Sequence, residues 1–187
     1  MKHMGFCLVV IIALSFSCKS SKNILTASQI EEFNALISSR NYTIESNWAQ
    51  PQLTAATAQV LNSGLLPPGS NAGAINLVGN SNFFTIKGDS VTSYLPFFGE
   101  RQMQVAYNGT DSAIQFNGLM EDYEEKVGKN DRKIISFNAK SNNSENFNVI
   151  VVVFPNMKSQ IILNGTSRFT IRYSGEVSPI DETKNQS

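Results

Sequence analysis

From residue 83 to residue 177 the chain is written in period two. Short runs of alternating apolar and polar residues are divided by clusters of Gly, Asn, Asp, Ser and Pro. Alternation of this kind puts the apolar side chains on one face of a β-strand, and the clusters between the runs are turn chemistry. FFTIK (83–87) and SVTSYL (90–95) flank Gly88-Asp89, and MQVAY (103–107) follows. AIQFNGLMEDY (113–123) comes next, with Gly118 expected to mark a bulge, and EEKVGKNDR (124–132) reads as a charged turn. KIISFNA (133–139), FNVIVVVF (147–154), QIILN (160–164) and RFTIRYSGEV (168–177) complete the series, FNVIVVVF being apolar on both faces as a central strand would be. Connections this short predict an antiparallel up-and-down meander. So long a meander has to deal with its edges, and closing on itself does so. The expectation is therefore a mostly β fold of roughly eight to ten strands, closed into a barrel or strongly curled, with a two-sheet sandwich as the alternative.

The residues ahead of this series supply one helix and one strand. TASQIEEFNALISS (26–39) repeats Ile30, Phe33, Leu36 and Ile37 at helical spacing, and Ser28 with Glu31 predicts a capping box. A single apolar stripe is suited to packing against the sheet or closing its end. NYTIESNW (41–48) alternates Tyr42, Ile44 and Trp48 with polar residues and reads as a half-buried strand ended by Pro51. Residues 53–80 are small and polar, broken by LLPPGS (65–70), with INLV (75–78) the one short strand expected there.

The N-terminus reads as an export signal. Lys2 and His3 precede an apolar run, FCLVVIIALSF (6–16), far shorter than the roughly 20 residues that span a bilayer as a helix. LSFSC (14–18) resembles a lipobox, in which a small residue precedes the cysteine that receives lipid, although Leu14 stands one place too far from Cys18. The expected organisation is a signal peptide at 1–17, a lipidated tether at 18–25, one β-rich domain at 26–178 and a flexible tail at 179–187. Cleavage before Cys18 would leave about 170 residues, enough for one domain with its own core. Localisation follows as an expectation: lipid-anchored in a Gram-negative envelope, at the outer membrane and facing the periplasm. An ordinary secretory signal cut near Ser17, or an uncleaved anchor, is the plainer alternative.

Missing residues restrict the chemistry. Fifteen basic and fifteen acidic residues leave no net charge and no basic face, so nucleic acid is not an expected partner. The single histidine is His3 and the two cysteines are Cys7 and Cys18. His3 and Cys7 leave with the signal peptide and lipid consumes the Cys18 thiol. The mature domain would then hold no histidine, no free thiol and no disulfide, and it would be no enzyme.

Gly88-Asp89-Ser90-Val91 nevertheless resembles the Gly-Asp-Ser-Leu signature of serine esterases. A serine needs a general base, most often histidine, held by a third group. None is present, and Lys87 is expected on the strand-pair surface opposite Ser90. Gly88-Asp89 reads better as a two-residue hairpin turn with glycine at positive φ. That turn pairs Ile86 with Val91 and Phe84 with Ser93, giving Phe84, Ile86, Val91 and Leu95 one face and Phe83 and Tyr94 the other. Asp89-Ser90-Val91 and Asp111-Ser112-Ala113 also resemble an Asp-Ser/Thr-apolar O-glycosylation pattern, making Ser90 and Ser112 candidate acceptors. EDYEE (121–125) with Asp131 lacks the spacing of a calcium loop, so no metal and no cofactor is expected.

Four blocks carry a wider resemblance. FTIKGDSVTSYLPFFG, AIQFNGLMEDY, RKIISFNA and SRFTIRYSGEV resemble domain of unknown function family 4251, short exported bacterial proteins, over most of residues 30–178. The resemblance implies an envelope lipoprotein with a calycin-like or lipocalin-like fold and no assigned activity. Within a barrel, Trp48, Tyr94, Phe97, Phe98, Phe116 and Phe137 are candidates to line an apolar cavity. Core filling is the competing use of such rings. The expected partners are a membrane, through the anchor, and either a small apolar or amphipathic ligand or another envelope component. The expected function is a non-catalytic envelope lipoprotein with a ligand in its barrel, or alternatively a structural or partner-binding one with a filled core.

Overall fold

The computed structural model describes residues 25–55, 58–59, 66–71, 73–102 and 113–181. Cys18, Ser112, the 103–107 strand and the last six residues of the expected tail lie outside the described residues.

Helix α1 (Ala27–Ser38) begins where Thr26 accepts from the Gln29 N–H and the Gln29 side chain accepts from the Thr26 N–H. The capping box is therefore Thr26 with Gln29, two residues ahead of Ser28 and Glu31. Both pairs satisfy the same pattern, and the earlier one places Phe33 and Ile37 against the core. After α1, Arg40 takes a left-handed conformation (φ 48°) and the chain turns directly into β1 (Asn41–Pro51).

The remaining strands are β2 (Ile75–Asn76), β3 (Phe83–Lys87), β4 (Ser90–Pro96), β5 (Ala113–Ile114), β6 (Asn117–Leu119), β7 (Glu121–Val127), β8 (Lys133–Lys140), β9 (Asn146–Val153), β10 (Lys158–Gly165) and β11 (Ile171–Pro179). They form one eleven-stranded antiparallel sheet in the order β5-β4-β3-β1-β11-β10-β9-β8-β7, with β2 on β1 and β6 on β4. The meander is as expected, and the first long strand pairs with the last. One continuous sheet replaces the alternative of a sandwich.

The sheet is not closed into a barrel. Its β5 and β6 margin consists of two- and three-residue pieces, interrupted at Gln115 and Met120, too short to carry a ladder across to β7. The margins meet through an isolated bridge, Phe116 to Ser141, and the Asn142 N–H donating to the Gln115 carbonyl at 2.9 Å. Curling is nonetheless strong. Phe84 on β3 and Phe137 on β8 are five ladders apart, roughly 24 Å in a flat sheet. Their ring centroids are 6.4 Å apart. The concave face is therefore packed against itself. Phe84 also meets Phe116 edge to face at 6.5 Å, and Phe116 meets Phe147 at 5.4 Å. Val149, Val151, Ile161, Leu163 and Ile171 complete a core with no exposed surface, each such side chain stabilising by about 1.5–3 kcal/mol.

Three local expectations are corrected. The bulge lies not at Gly118, which pairs regularly with Val91, but in β7, between Glu121 and Glu124, where Asp122 has φ 54°. Residues 124–127 are strand, and the turn is a single 3₁₀ turn at Lys129–Asp131. In β1 a second bulge between Ser46 and Trp48 changes the phase, turning Ala49 inward and leaving Trp48 half-buried off the core face. On β11 the inward face starts at Ile171, with Phe169 half-buried ahead of the strand.

Candidate functional site

The Gly88-Asp89-Ser90-Val91 quartet lies in a hairpin. Lys87 pairs with Ser90, Ile86 with Val91, Phe84 with Ser93 and Phe83 with Tyr94, as the alternation requires. Gly88 has φ 60° while Asp89 does not share it, the pattern of a type II′ turn. Phe84, Ile86, Val91 and Leu95 are buried, and Phe83 and Tyr94 are 43 % and 38 % exposed. Ser90 opens a strand and faces Lys87 across the turn, with no histidine among the described residues to take its proton. Asp89 is held instead by Arg40 at 2.8 Å.

Arg40 links two parts of the curled sheet. Its guanidinium bonds Asp89 in the β3–β4 turn and lies 3.8 Å above the Tyr123 ring of β7. The Tyr123 hydroxyl donates to Glu125 at 3.3 Å, and Lys133 pairs with Glu125 at 3.3 Å. Beneath them Tyr42 is fully buried, and its hydroxyl has no hydrogen-bond partner among the described residues. Burial, then Tyr123 and Glu125, push the Tyr42 phenol far above its ordinary range, against the opposing pull of Arg40. Tyr123 is raised by the same kinds of influence, burial first. A phenol held protonated can give a hydrogen bond or a proton but is neither a nucleophile nor a base.

A second polar cluster escaped the sequence reading. Arg168 and Glu145, 3 % and 7 % exposed, pair at 2.7 Å, and Glu145 also accepts from the Ser167 N–H at 2.9 Å. The Arg168 guanidinium sits 5.0 Å from the Phe97 ring centroid and 6.0 Å from that of Phe147. Tyr173 lies nearby, donating to the Pro96 carbonyl at 2.9 Å, its phenol raised by burial and opposed only by Arg168. In the sequence Arg168 is one of two arginines in SRFTIRY (167–173), with nothing local to set it apart from Arg172.

The six candidate cavity-lining residues do not converge. Phe116 and Phe137 fill the interior, Trp48, Phe97 and Phe98 are half-buried, and Tyr94 points outward. Among the described residues, clefts open on the outside and rim of the sheet. One of about 520 Å³ lies over β1, β3 and β4 beside the end of β11. One of about 680 Å³ lies at Gln50, Ile150, Ile162 and Arg172, and one of about 450 Å³ at Asn138, Asn148 and Gly165. Among the described residues no three His, Cys, Asp or Glu side chains gather as a metal site would need. No helix among them is long and apolar enough to cross a membrane.

The sequence profile of domain of unknown function 4251 (DUF4251) matches residues 25–177. The chain belongs to the DUF4251 family. The match takes in α1 and the sheet almost to the end of β11, so the family's domain and the curled sheet are the same unit. Among solved structures, a DUF4251 family protein from Bacteroides eggerthii DSM 20697 is similar, with a TM-score of 0.53 and 13 % identity over 82 % of this chain and 89 % of that one. At that identity the likeness concerns the fold alone. No curated protein matches the chain.

Proposed function

We propose that this DUF4251 chain is a non-catalytic lipoprotein of the bacterial envelope, tethered through Cys18 to the periplasmic side of the outer membrane, that works through its outer surface. The observation that carries the reading is the interior. Phe84, Phe116, Phe137 and Phe147 contact one another where a barrel ligand would sit, and they are 0–2 % exposed. A filled core favours the partner-binding alternative over a ligand held inside. The lipobox-like LSFSC and the lack of histidine and thiol in the mature chain support the anchor and the absence of catalysis.

Two measurements test it. Native mass spectrometry of protein purified from its own host should give polypeptide plus acyl chains covalently attached at Cys18, with no second lipid that leaves on gentle activation. A stoichiometric, releasable lipid would restore the interior-ligand reading. Cys18→Ala should move the chain from the membrane fraction to the soluble periplasm, and unchanged membrane retention would refute the anchor.

A second reading concerns modification. Asp89 and Ser90 sit at a hairpin tip, the Asp89 side chain 78 % exposed, which is the accessibility an O-glycosyltransferase needs. Ser90 and Ser112 are the acceptors this reading names. An intact mass free of hexose-sized increments would end it.

A further inference from the structure

The outer face of β1, β3 and β4 is ordered beyond what a solvated sheet surface requires. Ser178, Thr43, Thr85 and Thr92 stand directly opposite one another on four adjacent strands, β11, β1, β3 and β4. They form a row of hydroxyls spaced by the strand separation, about 4.8 Å. Thr43 and Thr85 are joined Oγ1 to Oγ1 at 2.9 Å, so part of the row is fixed in orientation. Beside the row, Phe83 and Tyr94 stand opposite each other on β3 and β4, both turned to solvent and both over a third exposed.

Phe83 and the hydroxyl row meet in one cleft, with Tyr94 beside it, opposite Phe83. The space of about 520 Å³ is lined by Phe83 and the three threonines, with the carboxylate of Glu45 on one side and Pro179 and Ile180 forming a wall. Phe83 is held in place from behind, because the neighbouring Asn82 side chain is bound to both backbone groups of Ser46 at 2.9 Å. No lysine or arginine lines the cleft among the described residues, and Glu45 contributes negative charge.

We infer that this cleft binds a neutral oligosaccharide chain laid across the strands. A pyranose has an apolar face of C–H groups and a rim of hydroxyls. The two adjacent rings offer stacking platforms for the first, and the hydroxyl row with Glu45 offers donors and acceptors for the second. A fatty chain would leave the row without purpose, and an anionic ligand would face Glu45 with no lysine or arginine among the described lining residues to meet it. The inference rests on the reading that the protein works through its outer surface, and it holds whether or not Cys18 carries lipid.

Affinity electrophoresis tests it. The full chain, in non-ionic detergent, is run through native gels cast with hydroxyethyl cellulose, xylan or galactomannan, and with alginate as the anionic comparison. Retardation is expected in at least one neutral gel and not in alginate. Phe83→Ala/Tyr94→Ala, which changes two exposed side chains, should abolish it. Thr92→Val should weaken the apparent Kd about fivefold, the loss of one hydrogen bond. Mobility unchanged in all three neutral gels, retardation in alginate alone, or retention undiminished in both variants would overturn the proposal. The Cys18 and native-mass results are read separately, so the anchor or the filled interior can fail without touching this outcome.

Discussion

Asn82 takes the place of a strand residue that β1 lacks. At the bulge the Ser46 N–H donates to Asn82 Oδ1 and the Asn82 amide donates to the Ser46 and Asn80 carbonyls. Ser46 is buried, so water does not stand in for the Asn82 amide there. Asn82→Leu should therefore cost roughly 2–4 kcal/mol in urea denaturation, since a buried amide group left without a partner costs about 1–3 kcal/mol. A loss below about 1 kcal/mol would mean that water reaches the bulge. The Arg168–Glu145 pair behaves differently because both partners are charged. Arg168→Met should destabilise by about 3–5 kcal/mol, leaving Glu145 charged and buried, and Arg168→Met/Glu145→Leu should recover most of that loss. If the double variant is no better than the single one, packing of Arg168 on Phe97 rather than charge compensation is what the site needs.

At the scale of elements, the β1–β11 pairing depends on a glycine for reasons of space. A Cβ on Gly175 would lie 1.9 Å from the Glu45 carbonyl oxygen and 2.6 Å from the Ser46 Cα, both backbone atoms of the strand opposite. Gly175→Ala should cost about 3 kcal/mol or more, at the upper end of overpacking effects. Gly118, expected from the sequence to be the bulge, has nothing within 4 Å of such a Cβ. Gly118→Ala should stay within about 0.5 kcal/mol of the parent, as surface substitutions usually do. Thermal melts of the two variants side by side measure the contrast. The comparison also shows what the sequence could and could not convey. The β3–β4 hairpin was legible residue by residue, because turn chemistry and alternation independently demand the same register. Helix α1 was legible, but its cap was misplaced because Thr26-x-x-Gln29 and Ser28-x-x-Glu31 are equivalent as patterns. The bulges in β1 and β7 left no mark, since a single inserted residue alters phase only through its partner strand. Of the site, the outward placement of Phe83 and Tyr94 was legible from the hairpin. The hydroxyl row was not, because it is assembled from β11, β1, β3 and β4, whose pairing no local pattern reveals.

For the molecule as a whole, alternation predicts faces but says nothing about closure, which is set by the lengths of the marginal strands. The expected barrel and the observed curled sheet share the same inward residues, and what separates them is that β5 and β6 are too short to reach β7. Global stability carries a signature of the phenols sealed in that core. Tyr42 and Tyr173 are fully buried and held protonated by burial, whereas in the unfolded chain they ionise near pH 10. Above that pH the unfolded state releases protons the folded state keeps, so stability is full below about pH 10 and falls as pH rises. The slope should approach about 2.7 kcal/mol per pH unit from these two groups, and Tyr173→Phe should halve it. Urea midpoints from neutral pH to strong alkali measure this, and a flat profile would mean the phenols ionise in place.

The pairing of β1 with β11 also governs the order in which the fold can form. β1 lies between β3 and β11, so the first long strand to leave the ribosome has one edge with no partner until the last strand arrives. Contacts so distant in sequence form slowly, and local hairpins such as β3–β4 and β9–β10 can precede them. A nascent chain interrupted before Ile171 thus exposes both a sheet edge and the inward side of β1. The chain stays pliable until nearly all of it has emerged, which is the condition a polypeptide must meet to be threaded across a membrane.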